Sequence, residues 1–364
     1  MSKRPRWIAL LALVVGAGGL VAVTRLLPAA DAGRAGVPSG LSACAARPET
    51  GPGAAAAPGS FFKLQPALDA NGVLAGQRLF VGRGGVITGS ATLAAESAAS
   101  GPVGGVVAVT EDDGTQSTVK LVAAGTGCAS VVHTSASVIR RAIIDPVDGS
   151  LLFHLVDRAS RADLGIWRLA APGGAPLRVV EPLPAGLVEG PVWATDLRLD
   201  QAGRFLAVQS CVDRACVTRL VDLAAPGSPP ALLRGKSQGP LLGFAGGRLV
   251  TWAACDGLPC GLLSWDPASG SATQLVGDAV AAGLTAGGRL VVIVSRQGAD
   301  RAVAVDPTSG AVEGLRGLAA GERPLLAGGL GSVGLEVGPD ELAVAQPAGN
   351  PRAYRPTPAG EVIP

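Results

Sequence analysis

Histidine and aromatic residues are scarce in this sequence. Its 364 residues include two histidines and one tyrosine, and aromatic side chains make up 3% of the chain. Because His133 and His154 both lie in apolar runs, we expect them to be packed strand residues, which disfavours a histidine-based triad and a multi-histidine metal site. The single Tyr354 gives no support for a glycosidase with a tyrosine nucleophile. The sequence therefore predicts no catalytic constellation, no metal and no cofactor.

Long apolar segments with a helical period are also missing after the first thirty residues. Short apolar runs begin at Phe61 and are separated by turn residues, and the chain holds 53 glycines and 28 prolines. That turn content excludes a helical protein, while a hydrophobic fraction of 48% is too high for a disordered one. The fold class is therefore predicted to be all-β.

A strand, turn, strand pattern that ends in glycine recurs along the chain. It is clearest at 262–270 and 303–310, and looser copies end at Gly114, Gly174, Gly227 and Gly360. A unit of about 40 to 50 residues holding four short strands is typical of a β-propeller blade. We expect six blades within these units: 60–127, 128–185, 186–235, 236–278, 279–321 and 322–364. Seven blades remain open, because the first unit is long enough to hold an extra hairpin.

Two turn and strand segments carry a family resemblance. Residues 200–207, Asp-Gln-Ala-Gly-Arg-Phe-Leu-Ala, and residues 266–270, Asp-Pro-Ala-Ser-Gly, resemble the TolB-like six-bladed bacterial propellers. The resemblance extends over residues 60–364 only as a similar pattern of repeats, and it implies a fold without implying a function.

The amino-terminal residues have the pattern of an export signal. Lys3, Arg4 and Arg6 precede an uncharged run over 7–23, and basic residues before such a run keep that end in the cytoplasm. Residues 1–27 are thus interpreted as a signal peptide or membrane anchor, 28–59 as a flexible Pro/Ala/Gly-rich linker, and 60–364 as the propeller. The protein is predicted to be exported from a bacterium, tethered through 7–23 or secreted after cleavage near Ala32.

The net charge disfavours nucleic acid as a partner. The chain has 30 basic and 28 acidic side chains, and four of the basic ones lie within residues 1–27. The remainder is slightly acidic, whereas a domain that binds nucleic acid needs a basic surface.

Six cysteines in an exported chain favour disulfides over metal ligation. Cys211 and Cys216, like Cys255 and Cys260, are five residues apart and are predicted to face each other across a hairpin between the second and third strands of a blade. Cys44 and Cys128 are then left to pair with each other, which would join the linker to the second repeat unit. A four-cysteine zinc site is the competing interpretation.

Charged residues concentrate in the loops predicted between the second and third strands of the blades. If the units are phased correctly, the loops emerge on one face, together with a long loop over 84–105, and rigid charged loops suit recognition of a polar or protein partner. Charged loop tips are also expected simply because they contact water. The candidate rim consists of Arg83, Asp157, Arg158, Arg161, Asp163, Asp213, Arg214, Asp256, Arg296, Asp300 and Arg301.

The sequence favours an extracytoplasmic binding or scaffolding propeller that is not an enzyme. A hydrolase or lyase that uses carboxylates in the central funnel is the first alternative; Glu322, Glu336 and Glu341 could supply acid and base carboxylates, although no spacing selects them. A structural component of the cell envelope is the second. Four tryptophans recur in predicted strands and are interpreted as packing between blades: Trp167, Trp193, Trp252 and Trp265.

Overall fold

The computed structural model describes thirteen segments of the chain, and every regular element within them is a β-strand. The segments are 41–48, 58–184, 190–212, 215–225, 227–233, 239–255, 258–285, 287–296, 299–319, 321–325, 333–338, 340–345 and 351–359. The proposed anchor over 7–23, most of the linker, and Asp213, Arg214 and Asp256 lie outside them. No helix long and apolar enough to cross a membrane is found in these segments.

The strands are numbered in chain order. The first fourteen are β1 Ser42–Ala43, β2 Ser60–Leu68, β3 Leu74–Arg83, β4 Val86–Leu93, β5 Ala98–Val103, β6 Val106–Asp112, β7 Ser117–Ala123, β8 Cys128–Ser135, β9 Val138–Ile144, β10 Leu151–Val156, β11 Asp163–Leu169, β12 Leu177–Val180, β13 Val192–Leu199 and β14 Phe205–Val212. The others are β15 Ala215–Asp222, β16 Ala231–Leu233, β17 Leu241–Ala245, β18 Arg248–Cys255, β19 Leu258–Trp265, β20 Ala272–Val276, β21 Ala279–Leu284, β22 Leu290–Arg296, β23 Ala299–Val305, β24 Val312–Gly314, β25 Arg323–Pro324, β26 Val333–Leu335, β27 Leu342–Ala345 and β28 Arg352–Tyr354.

These strands form seven sheets in the described part of the chain, which confirms a propeller and gives it seven blades. Blades 1 to 7 are, from the inner strand outward, β26-β2-β3-β4, β5-β6-β7-β8 with β1, β9 to β12, β13 to β16, β17 to β20, β21 to β24, and β25-β27-β28. The first repeat unit, 60–127, contains strands of both blade 1 and blade 2. It therefore holds the extra strands that the sequence allowed for in a seven-bladed propeller. Strands β4 and β5 also occupy most of 84–105, where we expected a long loop.

The first strands of successive blades lie side by side around a central axis, from β26 through β5, β9, β13, β17 and β21 to β25. The other strands follow outward, so the apolar core is divided among the contacts between blades. Phe62 and Val109 share one cluster from blades 1 and 2, and Val250 and Val292 share another from blades 5 and 6.

Blade 1 closes the ring by combining two distant parts of the chain. After β25 in blade 7, the chain supplies β26 to blade 1 and then returns to blade 7 as β27 and β28. Phe61 pairs with Leu335, and Phe62 pairs with Gly334, so the carboxyl-terminal part holds the first blade in place.

The repeated Asp-Pro-x-Ser-Gly motif forms the turn that joins the third and fourth strands. Asp266 Oδ1 accepts hydrogen bonds from the backbone N–H groups of Ala268 and Ser269 at 2.8 and 2.9 Å. Gly270 closes the turn with a φ of 68°, a conformation that glycine adopts without strain. Asp306 and Gly310 repeat the same arrangement in blade 6.

Two of the predicted disulfides are seen in full. Cys44 is bonded to Cys128, and Cys211 is bonded to Cys216 directly across the β14–β15 hairpin. Cys260 is also in a disulfide, whereas the side chain of Cys255 lies outside the description. The first bridge fixes the end of the linker to the outer edge of blade 2, where β1 runs parallel to β8. Disulfides persist in oxidising compartments, so the propeller is an extracytoplasmic domain.

Candidate functional site

The two faces of the propeller are defined by its turns. The upper face carries the connections between the second and third strands of each blade, and the lower face carries those between the first and second. Because each first strand starts at the upper face, residues near its beginning surround the upper opening of the axis.

Four consecutive first strands contain a β-bulge close to that opening. The residues that the pairing skips are Arg140 in β9, Trp193 in β13, Leu242 in β17 and Val280 in β21. A bulge turns its extra residue away from the regular alternation of the strand. Of the four residues, Trp193 and Val280 are 57% and 52% exposed, whereas Leu242 is fully buried.

Two arginines hydrogen-bond to the backbone of Val192, the residue before Trp193, and both pair with one glutamate. Arg140 Nη1 is 2.8 Å from Glu96 Oε2, and Arg161 Nη1 is 3.9 Å from the same oxygen. Arg140 Nη2 also donates to the carbonyl of Val192 at 3.4 Å. Glu96, Arg140, Arg161 and Trp193 are named the upper mouth here.

The backbone at Arg161 is strained. Its φ is 59°, and it is the one non-glycine residue with a positive φ in the described segments. Its N–H bonds to Asp157 O, and its own carbonyl accepts a hydrogen bond from Val192 N at 3.0 Å. The neighbouring blade therefore holds the conformation in place, a pattern that is common at binding sites.

Sequence reasoning found only part of this site. Arg161 was among the predicted rim residues, but Glu96 and Arg140 were not, and Trp193 was interpreted as packing between blades. That interpretation holds for Trp265, which is 5% exposed and donates to Thr251 Oγ1, and it is wrong for Trp193. The signal that could have revealed Arg140 is the pair Arg140-Arg141 inside an apolar strand.

The structure distributes the predicted rim residues over both faces. On the upper face, Asp157, Arg158 and Arg161 lie between β10 and β11, Asp163 begins β11, and Arg296, Asp300 and Arg301 flank the β22–β23 connection. Arg83 ends β3, at the turn to the fourth strand of blade 1, and therefore lies on the lower face. It is the one described residue of the set that the sequence placed on the wrong face.

Several rim charges join neighbouring blades instead of facing water alone. Arg158 of blade 3 donates two hydrogen bonds of 2.9 Å to Asp112 of blade 2, and Arg323 of blade 7 pairs with Asp300 of blade 6. Burial would raise the pKa of Asp112, but hydrogen bonds from Arg158, Ser117 and Gly114, with the charge of Arg158, hold it at about 2. Among the residues that the structure describes, charge and an exposed aromatic ring coincide at the upper mouth.

A buried polar network lies beneath this face, between blades 3 and 4. His154 Nδ1 is 2.7 Å from Thr195 Oγ1, and its Nε2 is 2.8 Å from Asp163 Oδ1. Arg219 Nη2 donates to the second carboxylate oxygen at 3.2 Å. The order hydroxyl, imidazole, carboxylate is that of a catalytic triad, but His154 is fully buried and Thr195 is 6% exposed. A substrate cannot reach the hydroxyl, so the network holds the two blades together.

Asp163 should make the stability of the propeller depend on acid. Burial would raise the pKa of this carboxyl, but hydrogen bonding and charge interaction with His154, the charge of Arg219 and the N–H of Gly165 lower it to about 2. Because this pKa lies below that of the unfolded chain, the stabilisation is present above about pH 4 and is lost as the pH falls to about 2. It is worth about 2 kcal/mol by linkage. The free energy of unfolding, measured with urea at a series of pH values, should fall less steeply below about pH 4 for Asp163→Asn than for the wild type. Equal slopes would contradict the assignment.

The three glutamates considered for catalysis do not share a site. Glu322 accepts hydrogen bonds of 2.8 and 2.6 Å from Arg352, and it lines a cavity of about 540 Å³ between blades 6 and 7. Glu336 accepts from Gly105 N at 2.8 Å and lines a second, axial cavity on the lower face. Glu341 accepts from Gly338 N at 2.9 Å in its own turn. Each carboxylate therefore has its own local partner.

No protein-family model matches this chain, and no curated protein is detectably similar to it in sequence. Among solved structures, TolB from Acinetobacter baumannii superposes with a TM-score of 0.41 and 12% identity, over 82% of this chain and 80% of TolB. A prolyl endopeptidase gives a TM-score of 0.48 and 17% identity over 83% and 49% of the two chains. Oligopeptidase B from Leishmania major gives 0.42 and 12% over 85% and 50%, so this chain spans about half the length of either peptidase. The likeness to TolB agrees with the resemblance read from the sequence, and at these values it concerns the fold alone.

Proposed function

We propose that this protein is an extracytoplasmic binding module that recognises an acidic protein segment at its upper mouth. The observation that carries the proposal is the pair of bulges that place Arg140 and Trp193 at the axial opening, where Arg140 bonds to the carbonyl of Val192, the residue before Trp193. Arginine and tryptophan are among the side chains most enriched at the energetic hot spots of protein interfaces.

The charges of the mouth favour an acidic partner. Arg140 and Arg161 share a single carboxylate, that of Glu96, which is itself 56% exposed. Among these three groups one positive charge is in excess, and an incoming carboxylate competes with Glu96 for two guanidinium groups. The indole of Trp193 adds an apolar surface with few rotatable bonds, which lowers the entropy lost on binding.

The path of the chain supports an upper mouth directed away from the tether. Residues 42–43 pair with 128–129, where β8 starts at the lower edge of blade 2, and Cys44 is bonded to Cys128 there. If residues 7–23 anchor the protein in the membrane, the linker reaches the propeller at its lower face. The opposite face is then directed outward, toward a partner in the envelope or outside it.

A binding role is favoured over the carboxylate hydrolase for a geometric reason. Glycosidases of the usual type need two carboxyl groups on either side of the scissile bond. In the described segments, Glu336 is the one carboxylate that lines the axial cavity. The envelope spacer, as a purely structural role, gives no reason for a strained arginine next to an exposed tryptophan.

Two substitutions in the mouth should change affinity in opposite directions. With fluorescein-labelled deca-glutamate as the probe, Arg140→Ala should weaken binding at least about tenfold, because a charge-assisted hydrogen bond is lost. Glu96→Gln should strengthen binding, because it removes the competing carboxylate. Fluorescence anisotropy at low and high salt measures both effects, and Trp193→Ala should weaken binding at either salt concentration.

Matched controls lie on the outer strand of blade 3. Leu177 is 70% exposed, and Arg178 has a 43% exposed side chain, so Leu177→Ala and Arg178→Ala remove an apolar and a cationic group far from the axis. Neither should change the affinity. Two outcomes would show that the mouth does not select the probe. One is that Arg178→Ala lowers the affinity as much as Arg140→Ala does, and the other is that Glu96→Gln lowers the affinity.

A further inference from the structure

A cavity of about 240 Å³ opens on the axis at the lower face, at the opposite end from the upper mouth. Its wall is formed where first strands end, and aliphatic side chains dominate it, among them Ile143, Leu197 and Leu335. At about 30 Å³ for each water-sized group, the cavity has room for about eight non-hydrogen atoms. A mostly apolar cavity with a few polar groups is the usual form of a small-molecule site.

Three polar side chains interrupt this apolar wall: Ser100, Arg198 and Glu336. Ser100 is 3% exposed, and its Oγ has no hydrogen-bond partner among the described residues. A buried hydroxyl without a partner costs free energy, which a ligand that accepts its hydrogen bond recovers.

Arg198 is held rigidly in the wall of the cavity. It is 6% exposed; Nη1 donates to Asp196 Oδ1 at 2.5 Å, and Nη2 donates to Leu241 O at 3.4 Å. These bonds leave one hydrogen of Nη2 for another acceptor, since a guanidinium carries five N–H groups. Burial and the nearby charge of Arg198 lower the pKa of Arg141 to about 10, although the charge of Asp196 acts in the opposite direction. Two buried cations therefore share Asp196.

We propose that the lower axial cavity binds a free aliphatic amino acid of about the size of leucine. Its carboxylate would bond to Arg198 and Ser100, its ammonium group would face Glu336, and its side chain would fill the aliphatic part of the wall. A zwitterion uses all three polar groups of the wall, whereas an anion would be opposed by Glu336 and a cation by Arg198. The site is independent of the upper mouth, and its occupancy does not depend on the acidic partner.

Isothermal titration calorimetry of the full chain tests this with four probes. L-Leucine should bind at one site with a Kd of about 1 mM or tighter, in keeping with the affinity that so few atoms supply. 4-Methylpentanoate, which lacks the ammonium group, and 3-methylbutylamine, which lacks the carboxylate, should each bind at least about tenfold more weakly. Glycine, which lacks the aliphatic side chain, should not bind measurably.

Glu336→Gln distinguishes a zwitterion site from a general apolar cavity. Glutamine keeps an oxygen that accepts from Gly105 N but loses the charge, so L-leucine and 4-methylpentanoate should bind this variant equally. Ala343→Leu should fill the cavity and abolish binding, while Leu177→Ala on the outer strand of blade 3 should leave binding unchanged. The assignment is overturned if L-leucine shows no saturable binding, if glycine binds as well, or if Glu336→Gln retains the preference for L-leucine.

Discussion

Replacing Gly334 with alanine is expected to destabilise the propeller by about 3 kcal/mol or more, which is the upper part of the range for overpacked sites. A Cβ at this position would overlap the carbonyl oxygen of Gly101 and the ring of Phe62. Gly101 belongs to the first strand of blade 2, and Phe62 is fully buried in blade 1. Phe62 pairs with Gly334 itself, and the strand of Gly101 lies next to β26, so the substitution acts on the strand that closes the ring. Urea unfolding followed by tryptophan fluorescence measures the loss.

Gly125 is a suitable control for that substitution. A Cβ at Gly125 would meet one atom within contact range, the Cδ of Arg83 at 3.9 Å, which is part of a flexible side chain. Gly125→Ala should therefore change stability little, or raise it slightly by restricting the unfolded chain. If both variants unfold at the same urea concentration as the wild type, the closing strand is not packed as described.

The elements that sequence reasoning recovered are those fixed by local chemistry. The Asp266 and Gly270 turn satisfies its own backbone within five residues, so it recurs with a recognisable spacing and reveals the repeat. The Cys211 and Cys216 pair is likewise set by one hairpin. Both features require only the neighbouring residues, and a single sequence contains that information.

The features that were missed depend on distant parts of the chain. The closure of blade 1 depends on β26, a strand of three residues whose partner lies more than 250 residues earlier, and no periodicity marks it. Trp193 is the extra residue of a one-residue bulge, which interrupts the two-residue alternation from which the face of a strand side chain is predicted. Glu96 and Arg140 meet because blades 2 and 3 are neighbours at the axis. Only the assembled ring brings them together.

The two disulfides seen in full should differ greatly in what they contribute to stability, because they close loops of very different length. Cys44 and Cys128 are 84 residues apart, whereas Cys211 and Cys216 are separated by 5. By the loop-entropy estimate, removing the first bridge costs about 4 kcal/mol and removing the second about 2 kcal/mol. The double variant Cys44→Ala/Cys128→Ala also releases β1 from β8, which adds to its loss. Urea unfolding of this variant beside Cys211→Ala/Cys216→Ala, both without reductant, measures the difference. Equal losses would mean that the long loop is already restrained in the unfolded chain, and that the linker needs no covalent bond to stay at the edge of blade 2.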